Sequence, residues 1–228
     1  MHLFSQPYYI EINEARWAAV ERILADLPDL KTCIDVGCGP GWFADRLVRR
    51  GLVVLGVDGR MELVEEARRR VPSALFGTAD VASTEAACSL PTVDLVFCFG
   101  LLYHLENPFA AVRALFQAAG KYLLVETQIA PGGGANFILV AEGRNETQGL
   151  TYHAVIPSRS ALVKMLYVAG FKFVHRYTGP VDHADFLDAP DRNHRREIFV
   201  ASKVPMNVTD MVLEQEPVTP KIDYSRKS

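Results

Sequence analysis

The sequence predicts a single α/β domain around one doubly wound, mostly parallel sheet of seven strands with an antiparallel last strand. Three observations predict this fold class. From Lys31 onward, short β-branched apolar runs alternate with helical patterns, which is typical of βαβ units. The last two apolar runs are expected to pair as a hairpin. The chain has 228 residues, 49% of them hydrophobic, which suits one core better than two.

Seven segments are predicted to be strands. Each is short, apolar and rich in β-branched or aromatic residues. We expect the first five to lie parallel in one sheet and the last two to form the hairpin. The segments are Thr32–Val36, Val53–Val57, Ala74–Gly77, Leu95–Phe99, Tyr122–Glu126, Phe171–Tyr177 and Glu197–Ser202.

Capping residues bound the predicted helices. Asn107 can cap a helix over Phe109–Ala119, with Pro108 in the first position and Gly120 closing the helix in a left-handed conformation. Similar patterns predict helices over Gly41–Arg50, Met61–Arg70 and Ser158–Ala169, followed by Gly51, Pro72 and Gly170. A further helix is predicted over the sheet edge, ahead of the first strand, because apolar residues recur there at helical spacing: Trp17, Val20, Leu24 and Leu27.

The chain divides into a predicted helical cap over residues 1–30, the sheet domain over 31–203 and a tail over 204–228, which either docks or is mobile. Two connections are longer than usual for a compact domain. They span Gln128 to Ile156 and Thr178 to Arg195. The first contains three glycines, Gly132–Gly134, which act either as a hinge for a lid over a bound substrate or as a plain flexible loop.

The composition disfavours several classes of partner. With 24 Lys and Arg against 27 Asp and Glu, the net charge is −3, so no global basic field attracts nucleic acid. No apolar run is long enough to span a membrane, and the first residues fit no leader peptide. The cysteines form no C-x-x-C pair and lie in or beside apolar runs, which favours a reducing, cytoplasmic location. They are Cys33, Cys38, Cys88 and Cys98.

The strongest motif joins the first strand to the next helix. Asp35 near the end of the strand is followed by Gly37, Gly39 and Gly41 in a G-x-G-x-G spacing. Glycines at such a bend allow unusual backbone angles and let a ligand approach the main chain. The dinucleotide pattern G-x-G-x-x-G is not met, because Trp42 stands at its last position. The motif therefore does not indicate a site that cradles phosphates.

Two further carboxylates follow the second and third strands. Asp58 lies where a ribose diol is bound in doubly wound sheets, and Asp80 can accept a hydrogen bond from an adenine amino group. Because ligands bind beyond the carboxyl ends of parallel strands, these residues predict a site for a neutral or cationic nucleoside.

On these residues the chain resembles the class I S-adenosylmethionine-dependent methyltransferases, from about Thr32 to Lys203. The resemblance implies their Rossmann-like sheet of seven strands and S-adenosyl-L-methionine as the cofactor. It also implies that the glycine motif contacts the methionine part, Asp58 the ribose and Asp80 the adenine. We assign the same pocket to a set of residues that adjoin these positions: Asp35, Gly59, Val81 and Phe99.

Three segments resemble more closely the tRNA wobble-uridine carboxymethyltransferases and their small-molecule relatives: Val96–His104, Leu124–Thr127 and Ile156–Ser158 with Ala169–Phe171. This resemblance implies that Phe99, Tyr103 and Arg196 contact a carboxylated form of the cofactor. That family supplies lysines ahead of its glycine motif, and this chain has none before Lys31. We therefore predict methylation of a small metabolite, at oxygen in preference to nitrogen. A tRNA wobble-uridine enzyme and a noncatalytic cofactor-binding regulatory subunit are the alternatives.

The catalytic candidates follow the fourth strand. His104 is either a general base for a hydroxyl acceptor or a residue that orients the loop. Its neighbour Tyr103 is the second catalytic candidate. Tyr152 and His153 either line the acceptor pocket or serve packing. Arg196 binds an acidic group or pairs at the surface with Asp191 or Glu197. No metal is predicted, because one loop crowded with acids and histidines matches no calcium or zinc spacing: Asp182, His183, Asp185, Asp188, Asp191 and His194.

Overall fold

The computed structural model describes residues 3–83, 90–187 and 195–221. The described residues form an α/β structure whose central sheet has eight strands in the order β10-β8-β9-β5-β4-β1-β2-β3. The predicted fold class is confirmed, and the strand count is eight in place of seven. The strands are β1 (Thr32–Val36), β2 (Val53–Asp58), β3 (Leu75–Thr78), β4 (Val93–Phe99), β5 (Ala119–Ile129), β6 (Phe137–Ala141), β7 (His153–Pro157), β8 (Phe173–Tyr177), β9 (Arg195–Ser202) and β10 (Met211–Leu213).

Five neighbouring strands, β3, β2, β1, β4 and β5, are parallel, so their carboxyl ends meet at one rim of the sheet. Strand β9 runs antiparallel between β5 and β8, as predicted for the seventh strand. The additional strand comes from the predicted tail: residues 211–213 pair antiparallel with β8. The tail therefore docks on the sheet edge through this segment.

Helices cover both faces of the sheet. Their bounds are α1 (Pro7–Asp26), α2 (Trp42–Arg49), α3 (Met61–Arg70), α4 (Pro108–Ala118) and α5 (Arg159–Ala169). Apolar residues of α1, α2 and α3 share one core cluster with the sheet, and those of α4 and α5 share the other. The prediction that the first helix covers the sheet edge is wrong. Trp17 of α1 belongs to the same buried cluster as Phe97, Leu124 and Ile198 of the central strands.

Helix caps decide where α4 and α5 begin and end. The Asn107 side chain accepts a hydrogen bond from the backbone N–H of Ala110 at 3.1 Å, as predicted. Ser158 caps α5 in the same way, and Gly170 closes it with a φ of +119°. The predicted left-handed cap at Gly120 is wrong. Helix α4 passes directly into β5 at Ala119, so Gly120 lies inside a strand.

The long connection after β5 contains a hairpin that the sequence reasoning missed. Strands β6 and β7 pair antiparallel in a small separate sheet. The side chains of β6 are mostly exposed although they are apolar, so the run lacks the alternation that marks a half-buried strand. The glycine run before β6 is held at Gly134, whose carbonyl accepts a hydrogen bond from Ser158 Oγ at 2.6 Å.

Cys33, Cys38 and Cys98 are buried as free thiols, and burial raises the pKa of each. The fourth cysteine, Cys88, lies outside the described residues, as do residues 188–194 of the acidic loop. In the described parts of the chain, no group of three or more His, Cys, Asp and Glu side chains is placed to hold a metal ion. No helix within those parts is long and apolar enough to cross a membrane.

Candidate functional site

The glycine motif forms a tight turn at the carboxyl end of β1. Gly37, Gly39 and Gly41 have φ angles of +74°, +51° and +87°, which L side chains rarely adopt. The backbone N–H groups of Gly37 and Cys38 both donate to the Val57 carbonyl, which ties the turn to β2. The turn therefore presents bare backbone at the rim of the sheet, directly before α2.

Asp58, the last residue of β2, holds this turn in place. Its Oδ2 accepts a hydrogen bond from the Gly39 N–H at 3.0 Å, and its Oδ1 accepts one from the Arg60 N–H at 2.9 Å. Burial raises the pKa of Asp58, although both backbone hydrogen bonds act to lower it. A carboxylate has about four acceptor sites, so Asp58 keeps lone pairs for a ligand.

A cavity of about 540 Å³ opens at this rim. Such a volume lies within the range of about 300 to 1,000 Å³ that is usual for small-molecule sites. Most of the residues predicted from the sequence line it: Gly37, Gly39, Asp58, Gly59, Asp80, Val81, Phe99, Tyr103, His104 and Arg196. The structure thus brings together residues that follow β1, β2, β3 and β4 with one residue of β9.

Two residues of the predicted cofactor site, Asp35 and Gly41, lie outside the cavity walls. Asp35 is 2% exposed and sits beneath the turn, where it accepts a hydrogen bond from the backbone N–H of Ala44. Burial and the neighbouring Asp58 raise the pKa of Asp35 to about 7. Gly41 begins α2, and a Cβ there would face Ala67 of α3. Both residues support the turn from behind, and neither borders the cavity.

Tyr152 and His153 also lie outside the cavity walls, although the sequence reasoning offered them as residues of the acceptor pocket. Tyr152 has a φ of +59° at the end of the loop between β6 and β7, with the guanidinium groups of Arg60 and Arg144 both within 6 Å of its ring centre. His153 is exposed, and its Nδ1 lies 3.1 Å from the Thr151 carbonyl. The hairpin fixes both positions, because Tyr152 ends its loop and His153 begins β7.

Asp80 and Val81 follow β3 at the side of the cavity next to Asp58. Val81 is buried, whereas Asp80 is exposed and its Oδ1 accepts a hydrogen bond from the Ala82 N–H at 3.0 Å. The Asp80 carboxylate is therefore held by its own turn, with its remaining lone pairs open to a ligand in the cavity.

A buried network of charges holds Arg16 and Arg196, two residues that line the cavity. Glu126 of β5 is fully buried, and its Oε2 lies 3.0 Å from Arg16 Nη2 while its Oε1 lies 3.1 Å from Arg196 Nη1. Arg196 Nε also reaches Asp185 Oδ2 at 3.1 Å. Burial acts to raise the pKa of Glu126, but the two guanidinium charges outweigh it and lower the pKa. Two cations thus face two carboxylates, and the four charges balance.

Arg196 is therefore buried, and the alternative of a surface partner for Asp191 or Glu197 is wrong for Glu197; Asp191 lies outside the described residues. The antiparallel ladder pairs Arg196 with Gln128 and sends its side chain toward the cavity. Its Nη2 donates to the Tyr103 hydroxyl oxygen at 2.9 Å. That geometry leaves the Tyr103 O–H free to donate into the cavity.

Sequence reasoning missed Arg16, which lies on α1 and lines the cavity. Its Nη1 donates to Asn13 Oδ1 at 2.8 Å, and its buried Nε has no hydrogen-bond partner within the described structure. A signal was present, since Arg16 falls four residues after Ile12 and four before Val20, on the buried face of the helix. A charged residue in an apolar stripe indicates a buried partner or a ligand.

Glu142 was also missed, because it belongs to the hairpin that was not predicted. It follows β6, and its carboxylate contacts His104 Nδ1. The other carboxylate oxygen accepts the Gly149 N–H at 2.8 Å. His104 ends a short 3₁₀ helix, Leu102–His104, that follows β4, so the hairpin and the sheet rim meet at this pair.

The loop between β6 and β7 covers the cavity beside Asp58. Arg60 Nη2 donates to the carbonyls of Gln148 and Gly149, each at 3.1 Å. From the other side, the Leu3 N–H donates to Glu146 Oε1 at 3.2 Å, close to the point where Phe4 lies over Gly39. The N-terminal segment and the hairpin loop thus meet above the glycine turn.

The class of protein that the fold and this site define is the Rossmann-like methyltransferases of class I. The sequence profile of a family described as "Methyltransferase domain" matches residues 9–176, which is most of the chain. The chain belongs to this family, as its sequence predicted.

Relatives and solved structures agree with this assignment. The tRNA U34 carboxymethyltransferase of Pasteurella multocida (strain Pm70) is 31% identical over 168 residues, 71% of this chain and 51% of that protein. The trans-aconitate 2-methyltransferase of Delftia acidovorans (strain DSM 14801 / SPH-1) is 28% identical over 129 residues, 55% of this chain and 44% of that protein. The chain spans about half the length of these two curated relatives.

Two solved structures show the same fold. The N-terminal domain of EvdMO1 with SAH bound has a TM-score of 0.66 at 21% identity, over 84% of this chain and 80% of that chain. Magnesium protoporphyrin IX methyltransferase from Synechocystis PCC 6803 with bound SAM has a TM-score of 0.59 at 20% identity, over 90% of this chain and 85% of that chain.

Proposed function

We propose that this chain is a methyltransferase that binds S-adenosyl-L-methionine in the rim cavity and methylates an oxygen atom of a small metabolite. The observation that carries the proposal is the arrangement of Asp58 and the left-handed glycine turn in the lining of one cavity, together with His104 and Tyr103. When bound, the cofactor supplies a methyl group on a positively charged sulfonium.

The residues present fit this cofactor. Gly37 and Gly39 offer backbone without side chains, and a Cβ at Gly37 would come within 3.0 Å of Leu101. Asp58 keeps acceptor lone pairs for the two hydroxyls of a ribose, while Asp80 and Val81 stand on the next strand end for an adenine. The cavity of about 540 Å³ is large enough for a nucleoside cofactor together with a small acceptor.

A small acceptor is supported by the two segments that cover the cavity. The loop between β6 and β7 and the segment around Phe4 close over the glycine turn from two sides. A net charge of −3 also provides no general attraction for a polyanion. One relative is named for a small carboxylic acid, trans-aconitate, which supports this class of acceptor.

Methylation at oxygen is supported by the residues near His104. A hydroxyl acceptor needs a base within hydrogen-bond reach, and His104 borders the cavity beside Tyr103, with ring centres 4.0 Å apart. Tyr103 can donate a hydrogen bond to the acceptor because Arg196 occupies its oxygen. Positioning by these groups is the main contribution that the chain makes, since the methyl donor is already activated.

A second candidate is a tRNA wobble-uridine enzyme that uses the carboxylated cofactor. The buried pair of Tyr103 and Arg196 favours it, because the resemblance assigns these residues to the carboxylate, and one relative is named for tRNA U34. The charge balance opposes it. Arg16 and Arg196 are already compensated by Glu126 and Asp185, so neither of these two guanidinium groups offers an uncompensated charge to a further carboxylate.

Calorimetry with S-adenosylmethionine, its carboxylated analogue and S-adenosylhomocysteine tests the cofactor and the role of Asp58. The substitution Asp58→Asn removes the charge but little volume, and we expect it to weaken binding about 10- to 150-fold, the equivalent of about 1.5 to 3 kcal/mol. Asp45→Asn on the outer side of α2 is the matched control and should bind normally. Equal affinity in both variants would remove the ribose assignment, and absence of binding to the unmodified chain would refute the proposed cofactor.

Two further measurements separate the alternatives. Filter retention of tRNA at rising salt should show weak binding at physiological ionic strength; tight binding would favour the second candidate. Turnover against a panel of small hydroxyl and carboxyl compounds should find an acceptor. Binding of the cofactor without turnover on either the panel or tRNA would favour a noncatalytic regulatory subunit.

A further inference from the structure

Glu142 has an environment that a solvent-facing hairpin residue does not need. Its side chain is only 7% exposed, although it stands just after β6, whose side chains mostly face solvent. Its backbone N–H donates to the Tyr152 carbonyl at 2.9 Å, which fixes the point where the two arms of the hairpin meet. The hairpin thus directs one carboxylate inward, against the end of the β4 rim.

Both oxygens of this carboxylate have a hydrogen-bond partner. One oxygen accepts the Gly149 N–H, which is a fixed donor, and the other contacts His104 Nδ1. An ionised carboxylate can only accept hydrogen bonds, so the proton of a neutral His104 ring resides on Nδ1. Nε2 then carries the lone pair. Within the described residues, no hydrogen bond reaches Nε2, and the ring borders the cavity.

The hairpin also packs closely against the backbone around His104. A Cβ at Gly149 would lie 2.2 Å from the His104 carbonyl oxygen, so only glycine lets the loop approach this far. The Val155 N–H of β7 donates to the Leu105 carbonyl at 3.0 Å, one residue after the histidine. These contacts hold Glu142 and His104 together from two directions.

We propose that Glu142 is a positioning residue that fixes His104 as the Nδ1–H tautomer and leaves Nε2 to take a proton from a hydroxyl acceptor. This inference rests on the proposed function. In the step it serves, the acceptor's O–H bond breaks, its proton forms a bond with Nε2, and the oxygen keeps the electron pair. The imidazolium charge that results faces the Glu142 carboxylate, which stabilises it.

The test reads the tautomer directly, by ¹⁵N NMR of the histidine rings in the 228-residue chain at pH 8, with S-adenosylhomocysteine added. A His104→Asn variant assigns the His104 signals. We expect a protonated Nδ1 and an unprotonated Nε2 in the unmodified chain and in the control Glu106→Gln, which changes an exposed residue of the same loop. In Glu142→Gln, the amide offers one acceptor oxygen, for the fixed Gly149 N–H, and one N–H₂ group, which then faces His104 Nδ1. Nδ1 must accept from this N–H₂ group, so the Nε2–H form should appear.

Glu142→Asp keeps the acceptor-only group and should retain more of the Nδ1–H form than Glu142→Gln. A protonated Nε2 in the unmodified chain, or a tautomer that does not respond to Glu142→Gln, would overturn the proposal. The unmodified chain gives the first of these results once the His104→Asn spectrum has assigned its signals, so this result does not depend on the folding of the Glu142 variants. Binding of S-adenosylhomocysteine, measured on the same samples, tests the proposed function separately, because the tautomer is observed whether or not it binds.

Discussion

The buried carboxylate of Glu126 gives the sharpest test of how the cavity wall is held. Glu126→Gln preserves its shape but removes the negative charge that Arg16 and Arg196 share at 3.0 and 3.1 Å. All three side chains are less than a tenth exposed, so the substitution leaves two largely buried guanidinium groups without the carboxylate that they share. Removing one member of a buried ion pair costs about 3 to 5 kcal/mol, and we expect a loss in this range in the free energy of unfolding.

Urea unfolding at pH 7.5, followed by circular dichroism, measures this loss. The control is Glu66→Gln, which removes a carboxylate paired with Arg69 and Arg70 on the surface of α3 and should cost at most about 1 kcal/mol. Because the pKa of Glu126 is lowered in the folded chain, its contribution is present above its ordinary pKa and is lost as the pH falls through the folded value. The variant and the unmodified chain should therefore converge in acid. A loss no larger than that of the control would refute the argument from burial.

Two further predictions concern the turn and the hairpin. The pKa of Asp35 is raised to about 7, so between about pH 4 and 7 the folded chain binds a proton that the unfolded chain has lost, and stability falls as the pH rises. Asp35→Asn should lack this fall, and its stability relative to the unmodified chain should rise by about 4 kcal/mol across that window in urea unfolding; equal pH slopes would contradict the raised pKa. Gly149→Ala should destabilise by about 1 to 3 kcal/mol, because the new Cβ would meet the His104 carbonyl at 2.2 Å, whereas Gly133→Ala enters open space and should be within about 0.5 kcal/mol of the unmodified chain. Equal unfolding midpoints for these two alanine variants would show that the loop can shift freely.

The elements that could be predicted are those whose local pattern agrees with their burial. Strands β1, β4 and β5 of the central sheet are mostly buried runs between turn residues, and Asn107 and Ser158 carry capping chemistry that acts within one turn. The same local reasoning failed at Gly120. A glycine after a helix usually ends it in the left-handed region, but here the strand begins at once, and a Cβ at this position would lie 2.8 Å from the Val93 carbonyl.

The site divides along the same line. Gly37, Gly39 and Asp58 could be found because a strand, a turn and a helix adjoin in sequence. The partners of Arg16 and Glu142 could not, because Glu126 and His104 lie far away along the chain, 110 and 38 positions respectively. Such long-range pairings are set by how α1 and the hairpin dock, which no local periodicity encodes.

The hairpin of β6 and β7 contributes to the site in two ways. Its loop covers the Asp58 side of the cavity through Arg60, and its first turn presents Glu142 to His104. Exchanging this segment for that of a relative would therefore alter the shape available to an incoming compound and the imidazole beside it in a single event. Redesign of acceptor preference through the hairpin has to preserve the carboxylate and Gly149 as a unit, while variation elsewhere in the loop leaves the histidine undisturbed.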